Sequence, residues 1–207
     1  MKNPLPQIDA ILLAAGNSLR FGGDKRLHAI DGRSMLQHVI ATMVDAVSSV
    51  TVVMKQSDRN NLPKLLGNFF TDSRIRTLLL DYPEAGIGSN LAVAVKSVSR
   101  KSDGVLVMLA DMPYVQSKTV HAVVDAFSSD RIIVPVCVDS DGRQRNGHPV
   151  MFARCFFQEI GLLQGDSGAR SVLQRNPESI IYLSVSDDGI FRDIDLLQDI
   201  DFQQKSH

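Results

Sequence analysis

Apolar residues along the chain form two kinds of segment that alternate from the amino terminus onward. Short apolar runs rich in β-branched residues predict strands, at residues 8–13, 50–54, 75–80, 105–109, 132–136 and 180–185. Apolar residues recurring at helical spacing predict helices, at residues 35–47, 60–70, 89–98, 117–127, 169–174 and 196–202. Strand followed by helix, several times over, predicts an α/β fold with a mostly parallel central sheet flanked by helices.

One strand and one interruption refine this picture. The run VLVML at residues 105–109 is the most uniformly apolar of the chain, which indicates a central strand covered on both faces. Residues 139–152 read DSDGRQRNGHPVMF, with Asp-Gly and Asn-Gly pairs between extended segments, and favour a small β-hairpin insertion at about 138–152. No repeat or linker divides the chain, so a single domain over residues 1–207 is expected.

Composition narrows the class of protein. The chain has 207 residues, 44% of them hydrophobic, and a net charge of −1 with scattered lysines and arginines, so we expect a soluble domain without a nucleic-acid surface. No window approaches the roughly 18 apolar residues of a membrane span, which favours a cytoplasmic protein. Cys137 and Cys155 lack the spacing of a zinc site or disulfide framework, so idle thiols are expected.

The segment after the first predicted strand carries candidate chemistry. Residues 13–25, here called the glycine loop, read LAAGNSLRFGGDK. Gly16, Gly22 and Gly23 would let backbone amides approach a phosphate, and Arg20 and Lys25 add positive charge. The loop matches neither GxxxxGK[ST] nor GxGxxG. It therefore indicates an anion-binding loop, although an ordinary flexible connection remains the alternative for the loop alone.

Acidic residues supply a second candidate feature. Asp111 in LADMP directly follows the predicted central strand, at the sheet edge where the glycine loop should emerge. Asp195 in DID, residues 193–195, offers another carboxylate, and phosphate-bound Mg²⁺ commonly takes one or two carboxylates plus substrate oxygens. A loop-capping role for Asp111 and a helix N-cap role for Asp195 are the competing interpretations.

Several motifs together resemble the nucleotidyltransferase family that includes molybdenum cofactor cytidylyltransferase. They are LAAGNSLRFGGDK, GIGSN (86–90), LADMP (109–113), NGHPV (146–150), GDSGAR (165–170) and DID. The resemblance covers residues from about 8 to 200 and implies a Rossmann-like nucleotidyltransferase fold. It further implies transfer of a nucleotidyl group from an NTP to a phosphate on a second substrate, with release of pyrophosphate. In the cytidylyltransferases this second substrate is the phosphate of molybdopterin carrying molybdenum.

The resemblance also implies roles for individual residues. The expected catalytic residues are Lys25, Arg20 and Asp111, and the expected Mg²⁺ ligands are Asp111 and Asp195. The expected nucleotide-binding residues are Leu13, Ala14, Ala15, Gly16, Asn17, Ser18, Arg20, Lys25, Gly86, Gly88, Ser89, Asn90 and Asp111. The expected acceptor-binding residues are Arg145, His148 and Arg170. A helix cap at Ser89, a plain surface role for His148 and an Arg170–Asp166 ion pair are the alternatives.

Nucleotide choice and partners follow from the same comparison. Ala15 stands where guanylyltransferase relatives usually carry a second glycine, which favours CTP. Two departures from the family pattern are RLHAIDG after Lys25 and DIDLLQD near the end. A guanylyltransferase, a sugar-phosphate nucleotidyltransferase and a non-catalytic cofactor-delivery module are the alternatives. The implied partners are the NTP, a molybdopterin-type phosphate, and a molybdoenzyme client or delivery chaperone.

Overall fold

A computed structural model describes residues 5–16, 21–30 and 32–196. The strands are β1 (Ile8–Leu13), β2 (Ala29–Ile30), β3 (Arg33–Ser34), β4 (Ser49–Lys55), β5 (Ile75–Leu80), β6 (Gly104–Leu109), β7 (Ile132–Val138), β8 (Gln144–Asn146), β9 (Val150–Ala153) and β10 (Ile180–Ser184). The helices are α1 (Met35–Met43), α2 (Leu62–Leu66), α3 (Ile87–Ser97), α4 (Ser117–Asp125), α5 (Phe157–Ile160) and α6 (Arg170–Arg175). The alternation of strand and helix that the sequence predicts is confirmed.

The main sheet has the strand order β10-β7-β9-β6-β1-β4-β5. Strands β6, β1, β4 and β5 run parallel, and β10 runs parallel to β7. Strand β9 lies antiparallel between β6 and β7. The sheet is therefore mostly parallel, and β6 occupies the central position that its apolar sequence predicts.

The predicted insertion is a hairpin for only part of its length. Strand β8 folds back antiparallel on β7, through a turn in which Asp139 and Arg143 join by a backbone hydrogen bond of 2.9 Å. Strand β9, however, enters the main sheet and is buried throughout. The apolar residues VMFA at 150–153 account for this placement, because a strand covered on both faces needs no polar positions.

Helices cover both faces of the sheet because β1 alternates its side chains between them. Ala10 and Leu12 pack with residues of α1 such as Ile40. Ile11 points to the opposite face and packs with residues of α3 such as Leu91. This three-layer packing fixes the carboxyl ends of β1 and β6, where the predicted site lies.

The structure changes the bounds of several predicted helices. The segment predicted as one helix over 60–70 is the short helix α2 between 3₁₀ turns, since Gly67 takes φ 54° at its end. Helix α1 ends at Met43, and the predicted final helix at 196–202 lies outside the described residues beyond Leu196. Over the described ranges, none of the helices has the length and apolar character needed to cross a membrane.

Candidate active site

The ends of two central strands bring the glycine loop and Asp111 together. Leu13 of β1 and Leu109 of β6 are register partners, and the N–H of Ala110 donates to the carbonyl of Leu13 at 3.0 Å. Because both strands end at this level of the sheet, the residues that follow them emerge side by side. Asp111 therefore stands beside the start of the glycine loop, as the sequence predicts.

Lys25, the last residue of the glycine loop, contacts Asp111. Its Nζ donates to Asp111 Oδ2 at 2.8 Å, to the carbonyl of Ile194 at 2.9 Å and to Asp195 Oδ1 at 3.3 Å. Burial opposes the charge of Lys25, but the carboxylates of Asp111 and Asp195 outweigh it and raise the pKa of Lys25. The ammonium group is charged at neutral pH and ties three distant chain segments together.

The segment before Asp195 is held in place by packing as well as by hydrogen bonding. Ile194 is buried in a cluster with Phe21, Ile30 and Met35. The N–H of Ile194 also donates to the carbonyl of Asp111 at 2.8 Å. Phe21, the large apolar residue of the glycine loop, thus joins this loop to the segment that presents Asp195.

Asp111 and Asp195 suit a divalent cation whose other ligands are substrate phosphates and water. Asp111 Oδ1 is buried and has no hydrogen-bond partner among the described residues. Burial, together with the charges of Asp111 and Asp195, raises the pKa of the neighbouring Asp193. Within residues 5–16, 21–30 and 32–196, no group of three or more acidic, histidine or cysteine side chains is placed to hold a metal. A set of two carboxylates is what Mg²⁺ uses when phosphates and water complete its shell.

A cavity of about 400 Å³, here called the loop cavity, opens beside Lys25 and Asp111. The predicted site residues that line it are Leu13, Ala14, Ala15, Gly16, Lys25, Gly86, Asn90, Asp111 and Asp195. Asn17, Ser18 and Arg20 lie outside the described residues. The N–H of Ala14 donates to the carbonyl of Val53 at 2.9 Å, so this amide belongs to the strand pairing and not to the cavity.

Gly88 and Ser89 connect two sequence motifs instead of lining the loop cavity. The N–H of Gly88 donates to the carbonyl of Gly165 at 2.8 Å, and Ser89 Oγ accepts from the N–H of Gly165 at 3.0 Å. Helix α3 begins at Ile87, so Ser89 is not the helix cap that the pattern allowed. The GIGSN and GDSGAR motifs therefore meet directly, across 76 residues of chain.

We expect Gly86→Ala to destabilise the fold more than Gly165→Ala. Both glycines have positive φ, 101° and 66°, which an alanine side chain disfavours by about 1 kcal/mol. A Cβ on Gly86 would in addition lie 2.4 Å from the Gly165 carbonyl carbon, whereas a Cβ on Gly165 meets nothing within 4 Å. Urea unfolding of both variants measures the difference. Equal losses of unfolding free energy would contradict the contact.

A second cavity of about 720 Å³, here called the sheet cavity, adjoins the first. The two cavities share Leu13, Ile87, Leu109 and Asp166 among their lining residues. His148 and Arg170 line the sheet cavity as predicted acceptor residues. Aliphatic side chains form most of its remaining surface, so a bound molecule would place its charged groups near these two residues and its body against the sheet.

The third predicted acceptor residue, Arg145, lies elsewhere. Its guanidinium stacks over the ring of Phe191, 4.6 Å from the ring centroid, and Arg145 is not among the residues lining the sheet cavity. Arg170 opens α6, and within the described part of the chain it forms no ion pair with Asp166. Arg170 instead lies among the residues that line the sheet cavity.

His148 is held by a backbone hydrogen bond, and the preceding Gly147 has no room for a side chain. Its N–H donates to the carbonyl of Ile190 at 2.7 Å, and a Cβ on Gly147 would lie 2.2 Å from that same oxygen. Burial lowers the pKa of His148 to about 4, against the opposing effect of the Asp111 carboxylate. His148 is therefore neutral at pH 7 and would offer hydrogen bonds, not charge, to a ligand.

We expect His148 to make the protein less stable as the pH falls from about 6.5 to about 4. The unfolded chain binds a proton at the ordinary histidine pKa of about 6.5, whereas folded His148 stays neutral down to about 4. The unfolded state thus binds more protons in this window, and acid favours it. Urea unfolding at several pH values should show a shallower pH dependence for His148→Gln than for wild type. The same change at exposed His121 is the control, and equal slopes for wild type and His148→Gln would contradict the burial.

Sequence reasoning missed an ion-pair network beside the loop cavity. Arg26 is buried and pairs with Asp58 at 2.6 Å and with Asp24 at 2.7 Å. In the sequence, Arg26 stands out only as part of the departure from the family pattern after Lys25. No local pattern in the sequence indicates a role for Asp58, because Asp58 lies 32 positions from Arg26. The only signal available was the choice of arginine, which forms two-pronged pairs with carboxylates.

A known protein family matches the part of the chain that forms this site. The family model described as "MobA-like NTP transferase domain" matches residues 10–180. The match includes both strand ends, Lys25, Asp111 and the lining of both cavities as far as Ile180. The chain therefore belongs to the MobA-like NTP transferase domain family.

Individual relatives are similar to this chain over part of their length. "Bifunctional protein GlmU" of Sphingopyxis alaskensis is 32% identical over 127 residues, which are 60% of this chain and 26% of that protein. The chain thus spans about a quarter of the length of this relative. The "Probable molybdenum cofactor guanylyltransferase" of Thermococcus sibiricus is 27% identical over 128 residues, covering 61% of this chain and 59% of that protein.

A solved structure supports the fold. The crystal structure of Rv0371c from Mycobacterium tuberculosis aligns with a TM-score of 0.77 and 23% identity, over 96% of this chain and 98% of that one. A second structure of Rv0371c is a complex with manganese, with a TM-score of 0.75 and 22% identity over 97% of this chain and all of that one. The overall arrangement of sheet and helices is therefore shared along nearly the whole chain.

Proposed function

We propose that this protein transfers CMP from CTP to the phosphate of a molybdopterin-type cofactor and releases pyrophosphate. One observation carries the proposal. The Lys25 ammonium lies between the carboxylates of Asp111 and Asp195, at the mouth of a loop cavity that adjoins a second, larger cavity. Two adjoining cavities with this charged group beside them suit a transfer between two bound phosphorylated molecules.

The chemistry requires no catalytic base. The second pKa of a phosphate monoester is about 6, so the acceptor is largely a dianion at neutral pH. One acceptor oxygen forms a bond to the α-phosphorus of the nucleotide. The bond from that phosphorus to the bridging oxygen breaks, and pyrophosphate leaves with the electron pair. Placement of two polyanions and stabilisation of the charge that develops are then the main tasks of the protein.

The residues of the site divide these tasks. Lys25 would hold the α- and β-phosphates, and backbone groups of Ala15 and Gly16 would contact the nucleotide in the loop cavity. Asp111 and Asp195 would hold Mg²⁺, which when bound offsets the charge of the triphosphate. Arg20 is proposed as a second phosphate ligand from the glycine loop. Arg170 and neutral His148 would orient the acceptor in the sheet cavity.

The choice of nucleotide rests on the glycine loop. Ala15 lines the loop cavity and is buried, and its methyl group would leave less room for a large base than a glycine at this position. This supports CTP. The second candidate is a guanylyltransferase, which the relative from Thermococcus sibiricus supports by its name. A client molybdoenzyme would receive the product in either case.

A nucleotide panel and a product assay test the proposal together. Thermal stability is measured with CTP, GTP, UTP or ATP and Mg²⁺, since a ligand at about 100 times its Kd stabilises by roughly 2.7 kcal/mol. CTP should give the largest shift, and a larger shift with GTP would favour the second candidate. Pyrophosphate release is then measured with CTP and a phosphorylated pterin. A protein that binds CTP but releases no pyrophosphate would be a carrier, and the transferase proposal would fail.

A further inference from the structure

The guanidinium of Arg26 uses all five of its N–H groups within the protein. Nε and Nη2 donate to the two oxygens of Asp24 at 2.8 and 2.7 Å. Nη2 and Nη1 donate to the two oxygens of Asp58 at 2.8 and 2.6 Å, and Nη1 also donates to the carbonyl of Ala14 at 3.0 Å. Although Arg26 lines the loop cavity, it therefore has no donor left for a phosphate.

These bonds join three chain segments around one side chain. Ala14 opens the glycine loop directly after β1. Asp24 closes that loop and caps the 3₁₀ turn Lys25–Leu27 by accepting from the N–H of Arg26. Asp58 belongs to the segment after β4, where it also accepts from the N–H of Lys55 at 3.0 Å. Both ends of the glycine loop are thus fixed to each other and to the end of a neighbouring strand.

Lys25 and Arg26 are adjacent in the turn but have different ion-pair partners. Lys25 pairs with Asp111 and Asp195, whereas Arg26 pairs with Asp24 and Asp58. A 3₁₀ turn of three residues has little stability of its own. Because the two residues are adjacent, the bonds that hold Arg26 also hold the backbone from which the Lys25 side chain extends.

We propose that Arg26 is the positioning residue of the site: its clamp on Ala14, Asp24 and Asp58 directs the Lys25 ammonium at the phosphates of the nucleotide. This inference rests on the proposed function, since it assigns the loop cavity to a nucleotide. Arginine is required because its planar fork engages two carboxylates at once. A lysine at position 26 would present a single point charge and could not hold both aspartates and the carbonyl.

A double-mutant cycle tests the proposal, with Kd values for CTP and CMP in the presence of Mg²⁺ as the readout. Arg26→Gln should weaken CTP binding by about tenfold in the wild-type background and by less than about threefold in a Lys25→Ala background. CMP, which lacks the β- and γ-phosphates, should lose less than about threefold in either background. A residue that merely stabilised the fold would weaken CTP by the same factor with and without Lys25, and that result would overturn the proposal.

The chain offers a matched control and a second variant. Arg74 also lies between two aspartates, Asp72 and Asp45, and donates to a backbone carbonyl, but it is exposed and remote from the loop cavity. Arg74→Gln should leave CTP binding unchanged in both backgrounds.

If Arg26→Gln does not fold, the double variant Arg26→Gln, Asp58→Asn avoids an unpaired buried Asp58 and should give the same cycle. Wild-type protein that binds none of the four NTPs would overturn the proposed function, whereas CTP binding that does not respond to Arg26→Gln would overturn only this inference.

Discussion

Replacement of Lys25 by alanine is expected to lower turnover by about a hundredfold or more while the fold survives. The reason is the position of the ammonium group, 2.8 Å from Asp111 and 3.3 Å from Asp195, beside the loop cavity. A positioned cation that meets charge developing in the transition state contributes on the order of 3 kcal/mol, which corresponds to about a hundredfold in rate. Initial rates of pyrophosphate release from CTP with a phosphorylated pterin measure the effect.

The control for this variant is another lysine without a place in the site. Lys64 is exposed in α2 and is not among the residues that line either cavity, so Lys64→Ala should keep wild-type turnover. Turnover of Lys25→Ala within about threefold of wild type would remove the role assigned to Lys25. The same variant should bind Mn²⁺ more tightly than wild type without nucleotide, because the cation would no longer compete with the ammonium for Asp111 and Asp195.

The sheet and its principal acidic residue could be predicted because their signals are local. The apolar runs that end at Leu13 and Leu109 identify two buried strands, and parallel strands release their following residues at one edge. Asp111 follows from that rule alone. The short helix α2 could not be predicted in the same way, since the break at Gly67 depends on a backbone conformation that apolar spacing does not register.

Contacts between residues that are far apart in the chain could not be predicted from the sequence. The residues after Asp195 depart from the family pattern, and its position depends on Ile194, which packs against Phe21 and whose N–H donates to the carbonyl of Asp111. Arg145 was predicted to face the acceptor, but the nearby Phe191 ring takes its guanidinium. The positions of both residues depend on tertiary contacts, which a linear pattern of residue types does not contain.

Replacement of Asp111 by asparagine is the second change with a large expected effect. The asparagine side chain keeps the shape of aspartate and can still accept from Lys25, so the fold should be retained. It lacks the charge with which Asp111 would hold Mg²⁺, and its amide replaces a carboxylate that has one buried oxygen without a partner. Turnover should fall by about a hundredfold or more, and the additional thermal stabilisation that Mg²⁺ gives in the presence of CTP should disappear.

The matched control for Asp111→Asn lies at the other end of β6. Asp103 precedes β6 at its opposite end, is exposed, and accepts from the N–H of Gln7 at 2.8 Å. Asp103→Asn should therefore leave turnover and the Mg²⁺-dependent stabilisation intact, because the two carboxylates stand at opposite edges of one sheet. If Asp111→Asn retained both properties, the carboxyl end of β6 would not be where the cation and the triphosphate meet, and Lys25 would need another explanation for its place between two aspartates.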